Sequence, residues 1–250
     1  MHEDIKILAL DIETSPILAW VWGLWDQNVS IGQIKEDPRI IAFSAQWYDK
    51  TKVMFWSEYH HTRQEMLQAF YDLLDEADIV LGYNSVSFDI VWIEGELVSE
   101  GFERPSPFKQ IDLLRIARKH TKFPSKKLDY VALRLLGDRK EKHPGMQMWI
   151  DCLEGDEATK KKAWKIMKSY ALKDTALLFP LFEALRPYIK MPFPVSDDPL
   201  ACPNCGSHKY QKRGFQRTSA SRYQRYQCGS CGGWFHDAKR EPLPTQYRAI

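Results

Sequence analysis

The chain lacks a hydrophobic run that could cross a membrane, since its apolar stretches fall far short of the roughly 20 residues that a spanning helix needs. Residues 1–4 are acidic where a secretory signal would be basic and then apolar. Cysteines are few, five in 250 residues, and four of them stand in two close pairs. Such spacing is typical of metal binding in a reducing compartment and not of a disulfide framework. We therefore expect a cytoplasmic protein with no membrane partner.

The length and composition are those of an ordinary globular protein. With 250 residues the chain can bury a full core in one large domain, or in a large and a small one. The net charge of +2 is unevenly distributed along the chain, because residues 201–250 hold nine Lys or Arg and only two Asp or Glu. The remainder is therefore net acidic. This distribution predicts a basic module attached to an acidic catalytic body.

Hydrophobic periodicity predicts an α/β fold. Strands are predicted for apolar segments at residues 5–10, 17–25, 39–48, 52–57 and 79–82. Helices are predicted from near residue 62, and at residues 87–100, 111–120, 128–136 and 158–185. Strands first, followed by alternating strand and helix, favour a mixed sheet flanked by helices. Five prolines crowd residues 187–203, so a domain boundary is predicted there.

Two acidic motifs follow predicted buried strands. Asp11 and Glu13 come two residues apart, and side chains at that spacing share one side of a strand. Taken alone, this pair is more simply a strand that ends in a solvated acidic turn. Asn84-x3-Phe88-Asp89 places Asp89 in the first turn of a helix, where the helix dipole favours a carboxylate. The alternative is that Asp89 only caps the helix and Phe88 belongs to the core.

A third motif lies inside the last predicted helix. Tyr170-x3-Asp174 puts both side chains on one helix face. Taken alone, a packed tyrosine and a surface aspartate are the commoner explanation. A tyrosine whose pKa is near 10 is a poor general base, so its expected role is to orient the attacking water or the scissile phosphate.

The three motifs together, in this order, resemble the DEDDy branch of the DEDD superfamily of 3′→5′ exonucleases. That branch has Tyr-x3-Asp in its third motif, and Ser169 occupies the position of the histidine of the other branch. The patterns around Asn84 and Asp174 most resemble the proofreading domain of family B DNA polymerases, over roughly residues 5–190. The resemblance implies a ribonuclease H-like fold. Since the chain is too short for a polymerase domain as well, it also implies a free-standing exonuclease.

The resemblance also implies a set of roles for these residues. Asp11 would bridge two metal ions, Glu13 and Asp174 would complete one metal site, and Asp89 would hold the second ion. Carboxylate and water ligands suit Mg²⁺ or Mn²⁺, and two such ions clamp the attacking and leaving oxygens of a phosphodiester. The substrate-binding residues implied are Thr14 and Asn84 at the terminal nucleotide, with Phe88 near the terminal bases or, alternatively, in the core.

The cysteine pairs predict a zinc ribbon near the C-terminus. Its four ligands are Cys202, Cys205, Cys228 and Cys231, and the bound Zn²⁺ is expected to be structural. Gly206 and Gly232 follow the two pairs, where a tight turn needs a permissive backbone. His208 and His236 are alternative ligands, although four cysteines already complete a tetrahedron. The ribbon ends in a sequence that resembles zinc ribbons attached to transposases and other DNA enzymes.

Cations and aromatic residues alternate between the cysteine pairs, which suits phosphate contact together with base stacking. They are Lys209, Tyr210, Lys212, Arg213, Phe215, Arg217, Arg222, Tyr223, Arg225 and Tyr226. The alternative is a purely structural ribbon with a solvated basic surface, or one that docks a replication or repair partner. The predicted organisation is an exonuclease domain (1–190), a Pro-rich linker (191–200), the ribbon (201–240) and a tail (241–250).

The predicted function is therefore metal-dependent 3′→5′ hydrolysis of single-stranded DNA ends, with release of nucleoside 5′-monophosphates. The same chemistry on RNA is an alternative, because recognition of the 2′-hydroxyl depends on pocket geometry that the sequence does not show. A second alternative is a catalytically silent module that binds nucleic acid or protein on an exonuclease scaffold. The presence of all four acids and the tyrosine argues against it.

Overall fold

The structure, a computed structural model, describes residues 5–141 and 143–243 of the chain. These residues fall into two compact units. One unit is Lys6–Leu181, and the other contains residue 5 and residues 182–243. No helix among the described residues combines the length and the apolarity that crossing a bilayer requires.

The larger unit is built on a mixed five-stranded sheet with the order β5-β4-β1-β6-β7. Its strands are β1 (Ile7–Thr14), β4 (Ile40–Trp47), β5 (Met54–Ser57), β6 (Ile79–Gly82) and β7 (Lys109–Asp112). The pairs β1–β4 and β4–β5 are antiparallel, whereas β1–β6 and β6–β7 are parallel. A separate two-stranded ladder joins β2 (Leu18–Ala19) to β3 (Ile34–Glu36). The predicted mixed sheet is confirmed.

Among the described residues, six α-helices accompany the sheet. They are α1 (Arg63–Glu76), α2 (Asp89–Ser99), α3 (Leu113–His120), α4 (Leu128–Leu136), α5 (Met146–Glu154) and α6 (Glu157–Leu185). The start of α1 is fixed by a capping box, in which the Thr62 hydroxyl accepts from the Glu65 backbone N–H and the Glu65 carboxylate accepts from the Thr62 N–H. The end of α4 is fixed by Gly137, whose φ of 71° lies in the left-handed region.

The helices bury both faces of the sheet. One hydrophobic cluster joins Leu8, Leu10 and Ile12 of β1 to buried residues of α1 and α2. A second cluster joins Ile41 and Ala42 of β4 to buried residues of α5 and α6. Because strand side chains alternate, the odd-numbered residues of β1 point away from α1 and α2, towards the face covered by α6. This alternation directs both acids of β1 to one side of the sheet.

Several local predictions were wrong at element boundaries. Only Leu18–Ala19 of the predicted strand at residues 17–25 is strand, because the apolar residues there are exposed and pair only with the short β3. The predicted helix at residues 111–120 begins with the last two residues of β7. The helix α5 was not predicted. Its apolar residues pack against α6, and that tertiary contact is not visible as a long periodic pattern.

The C-terminal unit contains a small antiparallel sheet around β9 (Ser221–Cys228). The strands β8 (Tyr210–Arg217), β10 (Trp234–His236) and β11 (Glu241–Pro242) pair with it. Within the predicted linker, Met191 and Val195 are buried, and the Val195 N–H donates to the Pro203 carbonyl at 2.9 Å. The domain ranges stay predictions, and residues 244–250 of the predicted tail and residues 1–4 of the predicted exonuclease domain lie outside the described residues.

Candidate functional site

Three of the four predicted acids converge in space. Asp11 and Glu13 project from β1, and Asp174 projects from α6. Each offers a carboxylate oxygen, and these oxygens all lie within 4.8 Å of one another. Glu13 and Asp174 are buried. The group is thus a compact arrangement of hard oxygen donors, the kind that Mg²⁺ and Mn²⁺ prefer.

A buried hydroxyl pair fixes the register between α6 and the sheet. Ser44 of β4 lies directly opposite Asp11 in the ladder. Its hydroxyl donates to the Ala171 carbonyl at 2.9 Å and contacts the Thr175 hydroxyl at 2.7 Å. Both partners lie within one turn of Asp174. The contact therefore sets where the Asp174 carboxylate stands relative to the carboxylate of Asp11.

Asp89 lies beside this group and is held by the strand itself. It is the first residue of α2 and is buried. Its carboxylate accepts the Ile12 backbone N–H at 3.1 Å, at the residue between Asp11 and Glu13. Asp89 does not belong to the group of oxygens within 4.8 Å. Its charge nevertheless helps to raise the pKa of Asp11.

Burial and mutual repulsion raise the pKa values of these acids, so they favour the protonated form. Burial, with the nearby charges of Asp89, Glu13 and Asp174, raises the pKa of Asp11 well above its ordinary value. Burial, assisted by Asp174, raises the pKa of Glu13 to about 8, and burial raises the pKa of Asp89 to about 7. The Asp174 Oδ1 atom is buried and has no hydrogen-bond partner among the described residues. This donor set, with one oxygen unsatisfied, fits a divalent cation.

Lys140 belongs to the site although sequence reasoning missed it. Its ammonium pairs with the Asp174 carboxylate and donates to the Tyr170 hydroxyl at 2.7 Å. It also lies 4.7 Å from the centroid of the Tyr170 ring. Lys140 lies between α4 and α5 in a stretch without periodicity, so no sequence pattern marks it. Its position results from the loop that returns the chain to the face of the sheet covered by α6.

Tyr170 lies on the same helix face as Asp174, as the spacing predicts. Burial and the neighbouring charges of Asp174 and Glu13 raise the pKa of Tyr170 far above its ordinary range. The hydroxyl therefore stays protonated and acts as a hydrogen-bonding group, not as a base. The His143 ring meets the Tyr170 ring edge-on, with 4.7 Å between centroids. His143 is a second residue that the sequence did not mark.

A cleft of about 380 Å³ opens beside the acids. Its lining comprises Ile12, Glu13, Thr14, Ser15, Pro16, Phe88, His143, Gly145, Met146 and Trp149. Two predicted substrate-binding residues, Thr14 and Phe88, thus line a cleft that Glu13 shares. Phe88 is 38% exposed, which argues against a core role. The aromatic rings and the mixed polar lining suit a base and a sugar.

Asn84, the third predicted substrate-binding residue, is not among the residues that line this cleft. Its backbone has a φ of 74°, uncommon for a residue with a side chain. The Asn84 N–H donates to Asp112 Oδ1 at 3.0 Å, and the same oxygen caps α3 through the Leu114 N–H at 2.9 Å. Asn84 therefore helps to shape the turn between β6 and α2. The left-handed backbone there is consistent with the tolerance of asparagine for this conformation.

The raised pKa values predict that the metal-free protein loses stability as the pH rises. Between pH values of about 4.5 and about 8, Glu13 holds a proton in the folded protein but releases it in the unfolded chain. The contribution of Glu13 to the free energy of unfolding is therefore fully present at low pH and is lost as the pH rises towards 8. Mg²⁺ selects the deprotonated acids, so it should raise the melting temperature more near pH 8 than near pH 6. Differential scanning calorimetry with and without Mg²⁺ measures this. An equal shift at both pH values, or an undiminished shift in Asp11→Asn, would contradict the prediction.

The four ribbon cysteines form a second candidate metal centre. Their sulfur atoms all lie within 4.8 Å of one another. The Cys202–Cys231 and Cys205–Cys228 separations of 3.9 and 3.6 Å are too long for disulfides. They match the roughly 3.8 Å between sulfurs at the corners of a tetrahedron with Zn–S bonds of about 2.3 Å. The cysteine set therefore fits zinc.

The turns around these cysteines have the expected backbone. Gly206 and Gly232 have φ values of 73° and 71°. The Gly206 N–H donates to the Cys202 carbonyl at 2.8 Å. The two alternative ligands are engaged elsewhere, since His208 contacts Asp198 at 2.8 Å and His236 Nδ1 contacts the Asp237 carbonyl oxygen at 2.8 Å. Four thiolates thus remain the natural ligand set.

The structure sorts the aromatic residues of the ribbon into two groups. Tyr210, Tyr226 and Phe235 pack on one another, with ring centroids 5.2 to 5.4 Å apart. By contrast, the Arg225 guanidinium lies 4.9 Å from the centroid of the exposed Trp234 ring. Arg222 similarly lies over Phe215 at 4.3 Å. The sequence alternates cations and aromatic residues throughout the ribbon. That pattern does not show which aromatic rings pack on one another and which lie at the surface.

Comparison with known proteins agrees with this geometry. A sequence model described as the RNase_H superfamily matches residues 9–186, a range that includes all four acids and Tyr170. A search of curated proteins gave no match. Among solved structures, the family B DNA polymerase from the hyperthermophilic archaeon Pyrobaculum calidifontis is similar, with a TM-score of 0.54 and 19% identity. The match covers 73% of this chain but only 25% of the polymerase, and identity this low shows a shared fold alone.

Proposed function

We propose that this chain, which belongs to the RNase_H superfamily, is a metal-dependent 3′→5′ exonuclease. Its substrate in this proposal is a single-stranded DNA end, and its products are nucleoside 5′-monophosphates. The observation that carries the proposal is the convergence of Asp11, Glu13 and Asp174 beside a cleft, with one buried carboxylate oxygen unsatisfied. Clustered buried acids are costly to a fold, and a divalent cation offsets that cost.

The acids have distinct roles in this proposal. Asp11, Glu13 and Asp174 would hold one cation, and Asp89 with Asp11 would hold a second. When bound, such cations polarise the phosphoryl oxygen, lower the pKa of water and stabilise the leaving oxygen. The Ile12 N–H fixes the Asp89 carboxylate, and the contact of Ser44 with α6 fixes Asp174. These contacts position the metal-ligating carboxylates of Asp89 and Asp174 in the absence of substrate.

Neighbouring side chains complete the site. Tyr170 and Lys140 form one hydrogen-bonded unit with Asp174. In the proposed reaction the Tyr170 hydroxyl orients the attacking water or a phosphate oxygen, because it stays protonated. Lys140 holds the hydroxyl and the carboxylate together and offsets part of the acidic charge. The exposed ring of Phe88 and the Thr14 side chain would contact the terminal nucleotide in the cleft.

The zinc ribbon has a tethering role in this proposal. Arg225 over Trp234 combines a cation with an exposed aromatic ring, the pairing that suits contact with phosphate and base. Lys212, Arg213 and Arg217 of the same unit are exposed. Docking of a replication or repair protein is the alternative for this surface.

One gel tests the activity, its direction and its sugar preference. Oligonucleotides of DNA and of RNA, labelled at the 3′ or the 5′ end, are incubated with Mg²⁺ and with EDTA. The proposal requires immediate release of the 3′ label as a mononucleotide and a descending ladder from the 5′ label, with Mg²⁺ only. Cleavage of RNA alone would reassign the substrate. No metal-dependent cleavage of either would favour a binding module on an exonuclease scaffold.

Tyr170→Phe should lower the rate of cleavage by about 10–100-fold, the range for groups that support a metal site from outside it. The substitution keeps the ring against His143 and removes only the hydroxyl. The loss should appear in kcat, with affinity for Mg²⁺ little changed. Tyr130→Phe is the matched control, because the Tyr130 ring packs on Phe123 and neither residue belongs to the three-acid group or lines the cleft. An unchanged kcat would mean that Tyr170 serves packing alone.

A further inference from the structure

A segment of the larger unit exposes an unusual amount of tryptophan. We call residues 17–36, which follow the cleft-lining Pro16, the tryptophan arm. Trp20, Trp22 and Trp25 are 71%, 100% and 82% exposed. Tryptophan is normally among the more buried residues, so three indoles open to solvent within six positions need an explanation.

The exposure does not result from an unfolded segment. The β2–β3 ladder joins the two ends of the arm. The Trp20 N–H donates to the Gln33 carbonyl, and the Gln33 side chain donates to the Trp20 carbonyl, each at 2.9 Å. The Gln27 side chain donates to the Trp25 carbonyl at 2.7 Å. The arm is therefore held in shape by its own hydrogen bonds while its indoles remain outside, which reduces the entropy lost on binding.

The arm begins where the proposed active site ends. The chain passes from Asp11 and Glu13 through Thr14, Ser15 and Pro16, which line the cleft, directly into the arm. The cleft itself is lined by two further aromatic rings, Phe88 and Trp149. A strand whose 3′ end occupied the cleft would meet aromatic side chains there, and the chain runs from the cleft lining directly into three further aromatic residues.

The charge of the arm restricts how it can bind. From Ile17 to Gln33 the only charged residue is Asp26. Lys35 stands beside Glu36, with 3.6 Å between the charged groups. With Asp26 and Glu36 against the single cation Lys35, the arm has a net charge of −1 (one positive and two negative groups) and is poorly suited to contact phosphate. What the arm offers to a nucleic acid is the flat faces of its indoles, and these can stack only on bases that are not already stacked in a duplex.

We propose that the tryptophan arm is a stacking platform for unpaired bases upstream of the 3′-terminal nucleotide. This inference rests on the proposed function, since it takes a single strand to be the substrate. Base–aromatic stacking is tolerant of sequence, because every base has a π face. Stacking neutralises no phosphate, so the contribution of the arm to affinity is independent of salt. That distinguishes it from a contact made by lysine or arginine.

The test compares two triple variants of the full chain, each carrying Asp174→Asn to block cleavage. In one, Trp20, Trp22 and Trp25 are all replaced by leucine, which keeps an apolar surface but cannot stack. In the other all three are replaced by tyrosine, which can. Fluorescence anisotropy measures the affinity for an oligothymidylate across a salt series. The leucine variant should bind about tenfold more weakly or worse at every salt concentration, and the tyrosine variant should remain close to the parent.

A modified oligonucleotide tests the same contact without changing the protein. An oligothymidylate with abasic positions just upstream of its 3′ nucleotide removes the bases that would stack. The parent chain should bind it more weakly than the intact strand, and the leucine variant should not distinguish the two. Leu24→Ser combined with Ile31→Ser is the matched control. Both side chains are exposed and aliphatic, so the loss should be small.

The outcomes separate the arm from the activity. If the parent binds the strand and the unblocked chain cleaves it, but the leucine variant binds equally well, the stacking proposal is overturned and the proposed function stands. Weaker binding only in the Leu24 and Ile31 variant would also overturn it, because the aliphatic side chains and not the indoles would then contact the strand. If the parent neither binds nor, when unblocked, cleaves any single strand, both proposals fail together.

Discussion

Asp11→Ala and Asp174→Ala should each abolish measurable cleavage while the chain stays folded. Each removes a carboxylate from the three-acid group. Losing a bound cation withdraws several kcal/mol of transition-state stabilisation, and each ~1.4 kcal/mol is about tenfold in rate. The expected loss is therefore at least about a thousandfold in kcat. Release of mononucleotides from a 3′-labelled strand measures it.

The fold should survive because the acids repel one another without metal. Burial and repulsion raise the pKa of Asp11 and of Glu13, which means that ionising this group costs stability. Removing the Asp174 carboxylate breaks its ion pair with the Lys140 ammonium. The Lys140 side chain is 25% exposed, so water can solvate the ammonium instead. Thermal unfolding should therefore show a melting temperature equal to that of the parent or above it when no metal is present.

Asp138→Asn is the matched control for these variants. Asp138 is an exposed acid that pairs with Lys173, one residue before Asp174 in the chain. Its replacement removes a negative charge near the site without touching the three-acid group, so activity should change little. A folded Asp11→Ala protein that cleaves at the parental rate would end the nuclease assignment.

Two local parts of the acidic group could be predicted from the sequence, whereas their convergence was implied only by the family resemblance. Period-two alternation puts Asp11 and Glu13 on one side of β1, and i, i+4 spacing puts Tyr170 and Asp174 on one side of α6. The strand β6, Ile79–Gly82, and the helix α4, Leu128–Leu136, have the predicted bounds. Each is a short, strongly apolar segment bounded by turn residues, so no tertiary contact was needed to mark it.

What could not be predicted depends on contacts between distant segments. Lys140 reaches Asp174 across 34 positions of the chain, and no periodicity links them. The exposure of Phe88 depends on what surrounds it in the fold. Residues 17–25 of the tryptophan arm were predicted as a strand because their composition is that of a buried one. The sequence shows that these side chains are apolar, but it does not show whether another strand or helix packs against them.

The ribbon should act as a tether for long single strands. Replacing Cys202 and Cys205 with serine, or chelating the zinc, should unfold the ribbon, because small zinc sites rarely fold without their metal. Truncation after Pro194 should act in the same way. Long single strands should then bind more weakly, and turnover of very short oligonucleotides should change little, since the four acids lie upstream. Truncation also removes the buried Val195 and its hydrogen bond to the Pro203 carbonyl, so the zinc-ligand variant of the full chain is the cleaner test.

The salt dependence identifies which residues hold the strand. Each phosphate neutralised adds about −0.7 to the slope of log K against log salt for single strands. Replacing Lys212 and Arg213 with glutamine keeps the zinc ligands and should flatten the slope. The same change at Lys161 and Lys165, exposed lysines of α6, should not. Because the tryptophan arm variants change no charged residue, they should lower the affinity without changing the slope. Equal slopes and affinities for the parent and the ribbon variants would exclude a tether and favour a protein-docking role.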